Sequence, residues 1–167
     1  MTLEEAIRTA IEFEKKIWKA YQAAEDKIDS PVGKRVFGLL AQEERDHVAY
    51  LESQLEVWKA TKKVSADRLE TAVPSKGKIE AKMGEVKTSL AEGDHGGEVG
   101  FLQKALAPEG DATAFSATMT ATLPEEGRDL FGRFLEIEEG HTAIVQAEID
   151  SVTRTGNWFD LQEFDMV

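Results

Sequence analysis

Apolar residues recur at spacings of three and four along most of the chain, the period of helices that bury one face. The first stripe is Leu3, Ile7, Ala10, Ile17 and Tyr21, with Glu14 standing in its middle. A second is Val36, Leu40, Leu51, Leu55 and Trp58, interrupted by Glu44 and His47. A third is Phe131, Phe134, Val145 and Val152, interrupted by Glu138, His141 and Glu148. Thr2 with Glu5 forms a capping box ahead of the first stripe. Ser30-Pro31 closes that helix and opens the next, because the residue before proline avoids helical backbone and proline suits a first turn. Pro124 and Gly156 bound the last helix. These signals predict core helices over residues 3–29, 32–63, 111–123 and 125–155.

Residues 64–110 follow a weaker pattern. Ser65 to Leu69 continues or restarts a helix, and Val73-Pro74-Ser75 breaks it. Lys76 to Leu90 is polar and helix-compatible, with a thin apolar stripe of Ile79, Met83, Val86 and Leu90. Gly93-Asp94-His95-Gly96-Gly97 reads as a loop, with His95 exposed, and Val99 to Ala107 as a short apolar helix ended by Pro108. A connection this long is what a four-helix bundle needs when its second and third helices run the same way. The expectation is a single all-α domain over 1–167, a ferritin-like four-helix bundle in its arrangement, with a crossover at 64–110 and a tail at 156–167. The tail aromatics Trp158, Phe159 and Phe164 are expected to pack back on the bundle or on a partner subunit.

Composition narrows the function. A chain of 167 residues, 41% hydrophobic and 31% charged, supports one domain with a sizeable core. A net charge of −12 argues against nucleic acid, which needs clustered Lys and Arg. The absence of cysteine excludes disulfides, thiolate zinc sites, iron–sulfur clusters and thiol redox chemistry. Met1-Thr2-Leu3-Glu4-Glu5 does not have the pattern of a signal peptide, and no run of 18 apolar residues occurs. The expected location is therefore the cytoplasm, with no membrane partner.

The interruptions of the stripes carry the chemistry. A charged residue at a core position costs several kcal/mol unless it is paired or binds a metal. All three histidines follow a glutamate by three residues, but only two of these pairs interrupt apolar stripes, Glu44-Arg45-Asp46-His47 and Glu138-Glu139-Gly140-His141, while Glu92 and His95 fall at the glycine-rich loop. On a helix, residues i and i+3 share a face, so each motif offers a carboxylate and an imidazole in one direction. Glu14 lies about 16 residues before the Ser30-Pro31 turn and Glu44 about 13 after it, which puts both roughly 20–24 Å up an antiparallel pair. The candidate metal ligands are therefore Glu14, Glu44, His47, Glu138 and His141. Glu43 also precedes His47, but it lies off the stripe, and Glu44 is preferred. The competing readings are a metal-binding or storage protein without turnover, and a metal-free helical interaction scaffold in which these Glu and His side chains pair with one another.

Glutamate on one helix, Glu-x-x-His on the next, a crossover, and a second half ending in Glu-x-x-His resembles the ferritin-like di-iron carboxylate superfamily. The spacing Ala10-x-x-x-Glu14-x-x-Ile17-x-x-x-Tyr21, followed by Glu44-x-x-His47, is similar to its rubrerythrin-type branch. The similarity covers residues 3–60 and, in part, 111–153. It implies two iron ions, with manganese or zinc as alternatives. Glu44 and Glu138 would bridge the ions as the catalytic pair, and His47, His141 and Glu14 would be terminal ligands. Tyr21 would hydrogen-bond a ligating carboxylate. The implied reaction is Fe(II) oxidation coupled to reduction of hydrogen peroxide or dioxygen, in a homodimer or larger oligomer. Full rubrerythrins carry a cysteine-ligated rubredoxin domain, so electrons here would come from an external donor or from Fe(II). The family also expects a glutamate on the third helix. Local pattern puts Thr120 there, whereas matching height to Glu138 requires a residue near 109–111. Asp111, on the Phe115–Met119–Leu123 stripe or as a helix cap, Glu109, and Glu148 are the alternatives.

Overall fold

Thr2 starts the first helix as expected. Its hydroxyl accepts the Glu5 N–H at 3.2 Å, and the Glu5 carboxylate accepts the Thr2 N–H at 2.8 Å. This computed structural model describes residues 1–65, 68–84 and 97–158. Among them the regular elements are helices: α1 (Leu3–Lys27), α2 (Pro31–Thr61), α3 (Lys76–Gly84), α4 (Glu98–Thr122) and α5 (Glu125–Thr155). The protein is all-α. No helix of the described residues is long and apolar enough to cross a membrane.

Between α1 and α2 the chain turns in three residues, with Ser30 Oγ accepting the Gly33 N–H at 3.2 Å. The turn is short enough to make the two helices antiparallel neighbours. Leu123-Pro124 does the same for α4 and α5. Gly156, at φ 77°, ends α5 in the left-handed conformation that glycine adopts without strain. Helix α1 also packs on α4, and α3 lies on α5.

The predicted third core helix needs correction. The segment 111–123 is the second half of α4, which starts at Glu98 and runs straight through Pro108. Proline has no N–H to donate and its ring crowds the carbonyl four residues back, so it reads as a stop signal. Here burial of Leu102, Ala105, Glu109, Ala112, Ser116 and Met119 on one face holds both halves in one helix. The connection from α2 to α4 is correspondingly shorter than the 64–110 crossover, with α3 inside it. The loop with His95, the stripe positions Val86 and Leu90, and tail residues Phe159 and Phe164 lie outside the described residues. Trp158 does pack back. Its indole N–H donates to Glu98 at 2.7 Å, and its ring meets Phe37 edge-on at 5.5 Å.

The core comes in two apolar halves. One gathers Leu3, Ile7, Ile11, Val48, Leu51, Met119, Phe131, Phe134 and Ile137. The other gathers Ile17, Tyr21, Phe37, Leu40, Ala41, Ala112, Ile144 and Val145. Each long helix passes from one half to the other through a polar position: Glu14 on α1, Glu44 and His47 on α2, Ser116 on α4, Glu138 and His141 on α5, with Glu109 of α4 buried beside Tyr21. A polar layer thus lies between two hydrophobic ones.

Candidate metal centre

All five predicted ligands are in this layer. Glu14, Glu44, His47, Glu138 and His141 are between 0% and 2% exposed, so their charges cannot be relieved by water. Glu109 is 0% exposed and stands among them, as the height argument allowed. Asp111 does not. It is exposed and lies inside α4, so it neither points inward nor caps a helix. Once α4 is continuous, its inward positions fall at 109, 112, 116 and 119, and 111 turns to the outside. Thr120 donates its hydroxyl to the Ser116 carbonyl and is not a carboxylate substitute. Glu148 is buried on α5, outside the groups described next.

Distances tie the four helices together. His47 Nδ1 lies 3.1 Å from Glu14 Oε2 and 3.4 Å from Glu44 Oε2. His141 Nδ1 lies 2.8 Å from Glu44 Oε1 and 3.4 Å from Glu109 Oε1, while its Nε2 lies 2.9 Å from Glu43 Oε1. The two imidazoles stack with centroids 5.4 Å apart and planes 13° from parallel. Tyr21 donates its hydroxyl to Glu109 Oε1 at 2.5 Å, a carboxylate contact of the kind expected of it, made across to α4. Glu138 is joined to Glu14 and accepts a hydrogen bond from Ser116.

Three groups of side chains each bring ligand atoms within 4.8 Å of one another: Glu14, Glu44 and His47; Glu44, Glu109 and His141; and Glu43, His47 and His141. Glu44 belongs to the first two. In the sequence Glu43 sits off the apolar stripe. Its buried position follows from segment 69–75, which crosses beside it and has no periodicity of its own. The signal that was there is the doubled Glu43-Glu44, four and three residues before His47.

The electrostatics are those of a crowded anionic layer. Burial, and then the nearby Glu44 carboxylate, push Glu14 up to about 8. Burial raises Glu44 to about 7, with the Glu109 charge adding to it. Glu138 is pushed well above the carboxylate range by burial and by Glu14. Burial alone would lower His141, but hydrogen bonds to Glu109, Glu43 and Glu44 outweigh it and raise it well above the usual histidine value. Glu43 goes the other way. Burial disfavours its charge, yet hydrogen bonds from His141, Thr71 and the Ala72 N–H bring it down to about 2.

The donor set fits two divalent cations. Four side-chain atoms in this layer, Glu44 Oε2, His47 Nε2, Glu109 Oε2 and Glu138 Oε2, are buried without a hydrogen-bond partner. Buried polar atoms are rarely left this way unless something else satisfies them. The carboxylates Glu14, Glu44, Glu109 and Glu138 carry four negative charges when ionised, the number two divalent ions neutralise. Oxygen and imidazole ligands with no sulfur suit iron, manganese or zinc. No protein-family model, curated protein or solved structure matches the chain.

Proposed function

We propose that this protein is a dinuclear metal protein with a ferritin-like four-helix bundle, and that its ions are iron. One observation carries the reading: two Glu/His groups share Glu44 in a sealed layer, with four ligand-type atoms lacking any hydrogen-bond partner. Glu14, Glu44 and His47 would hold one ion. Glu44, Glu109 and His141 would hold the other, with Glu138 beside Glu14. When bound, a pair of iron ions supplies redox chemistry toward hydrogen peroxide or dioxygen.

The protein's own residues do the rest. Glu14, Glu44 and Glu138 hold protons in the metal-free layer and release them as cations enter, which keeps the site near neutral at each stage. Tyr21 fixes Glu109 by its hydrogen bond, a constraint on a ligand from outside the ligand set. The Phe134 ring, edge-on to His47 at 5.6 Å, keeps water from that imidazole. Electrons for any reduction come from Fe(II) or from a separate donor, because the chain has no cysteine to hold a relay.

A metal-free structural layer is the second reading. It is favoured by His141, whose two nitrogens both have carboxylate partners. Metal analysis of protein purified without chelators separates the two. The proposal expects two ions per chain, visible absorption on oxidation, and peroxide consumption by the Fe(II)-loaded protein that is lost in Glu44→Ala. Protein free of metal that also takes none up from Fe(II) solution overturns it. Unaltered peroxide consumption in Glu44→Ala overturns the assignment of the site.

A further inference from the structure

Glu43 differs from Glu44, Glu109 and Glu138 in how its oxygens are used. Oε1 accepts the Thr71 hydroxyl at 2.6 Å and faces His141 Nε2 at 2.9 Å. Oε2 accepts the Ala72 N–H at 2.7 Å. Both oxygens therefore accept hydrogen bonds, whereas the Oε2 atoms of Glu44, Glu109 and Glu138 accept none.

The donors come from segment 69–75, which is itself fastened at several points. Arg133 Nε on α5 donates to the Leu69 carbonyl at 2.9 Å. The Val73 N–H donates to Thr71 Oγ1 at 3.1 Å, and the Leu69 and Val73 side chains are buried. The Pro74 carbonyl passes over Gly140, where an added Cβ would lie only 2.9 Å from its oxygen. The glycine inside Glu138-Glu139-Gly140-His141 is thus where this strap crosses α5, one residue from the histidine it acts on.

We propose that Glu43 is a positioning residue and not a metal ligand: held by the strap, it accepts the Nε2–H of His141 and turns the Nδ1 lone pair toward Glu44 and Glu109. A histidine that binds metal through one nitrogen is oriented by the hydrogen bond at the other, and a carboxylate is a strong acceptor for it. The strap is the outer layer of that arrangement, since it leaves Glu43 only one direction to face. This inference rests on the metal-centre reading above.

Glu43→Gln is the sharp variant because it keeps the shape. One of its two terminal atoms becomes an NH2, which must meet either the Ala72 N–H or the Thr71 and His141 donors. Either arrangement sets donor against donor, or forces His141 Nε2 to become the acceptor and its Nδ1 to carry the proton. Thr71→Val is the milder variant, keeping the carboxylate and removing one donor to it. Co(II) titration followed by visible absorption and calorimetry is expected to give two sites in the wild type. In Glu43→Gln, one site should weaken by about 10–100-fold, the range for loss of such an outer partner, while the other holds. Thr71→Val should weaken the same site to a smaller extent. In 15N-histidine spectra of the Zn(II)-loaded wild type, His141 should show a protonated Nε2 and a metal-bound Nδ1.

Unaltered Co(II) affinities in Glu43→Gln overturn the inference while leaving the metal centre standing. Tighter binding in Thr71→Val also overturns it, because a ligand freed from the strap would bind better. So does a His141 bound through Nε2. A wild type that takes up no Co(II) overturns the metal centre itself, and the role of Glu43 with it.

Discussion

At the scale of the residue, the protonation of the layer dictates how stability depends on pH. Glu14, at about 8, and Glu44, at about 7, keep protons in the folded protein that the unfolded chain, with carboxylates near 4.5, has already released. The folded state then binds more protons across that window, so stability is fullest below 4.5 and is lost as pH rises toward 8. His141, raised above the histidine value of 6.5, has the same sign. Glu43 has the opposite one, since its contribution is present above 4.5 and lost as pH falls through about 2. The metal-free protein should therefore lose about 5–10 °C in melting temperature between pH 5 and pH 8.5, as read by circular dichroism. A flat or rising profile would contradict the protonated layer. Glu14→Gln should behave as a stabilised but disabled variant. At pH 8 its metal-free form gains roughly 1–2 kcal/mol in urea unfolding, because a buried carboxyl no longer has to be held against ionisation. Its uptake of Fe(II) should fall.

At the scale of the element, most of the fold was legible where periodicity was strong and capping was local. Thr2, Ser30-Pro31 and Gly156 mark helix ends to within one or two residues. Glu14, Glu44, His47, Glu138 and His141 were visible as polar breaks in apolar stripes, and the structure brings all five together. Two things were not legible. Pro108 hid the continuity of α4 because proline ends helices by local chemistry, whereas here the tertiary burial of Leu102 and Ala105 outweighs it. The strap at 69–75 was invisible because its contacts with Glu43, Arg133 and Gly140 join residues 28 or more apart that have no shared pattern. Each miss has a test. Pro108→Ala restores an N–H that can donate to the Lys104 carbonyl, and should stabilise the protein by about 1–3 kcal/mol in urea unfolding. Gly140→Ala should destabilise it by about 1–3 kcal/mol, because the obstructing atom is a backbone carbonyl that cannot swing away.

At the scale of the whole molecule, the polar layer divides what would otherwise be one hydrophobic core, a stability cost that cations would offset by mass action. Under the proposed reading, a metal held at about 100 times its Kd adds about 2.7 kcal/mol, which should appear as a higher melting temperature with Fe(II) and a lower one with chelator. The same layer bears on time as well as on energy. Its Glu and His side chains are almost fully buried, with hydrophobic side chains on both sides, so under the proposed reading an ion would enter or leave only when helices part locally. Exchange then runs at the pace of that opening, however strong the chelator in solution. Metal release should track the hydrogen exchange of backbone amides near Glu44 and His141, and be nearly independent of chelator concentration. The metal found in the purified protein would then be a record of the ions available while the chain was folding, kept long after the surroundings have changed.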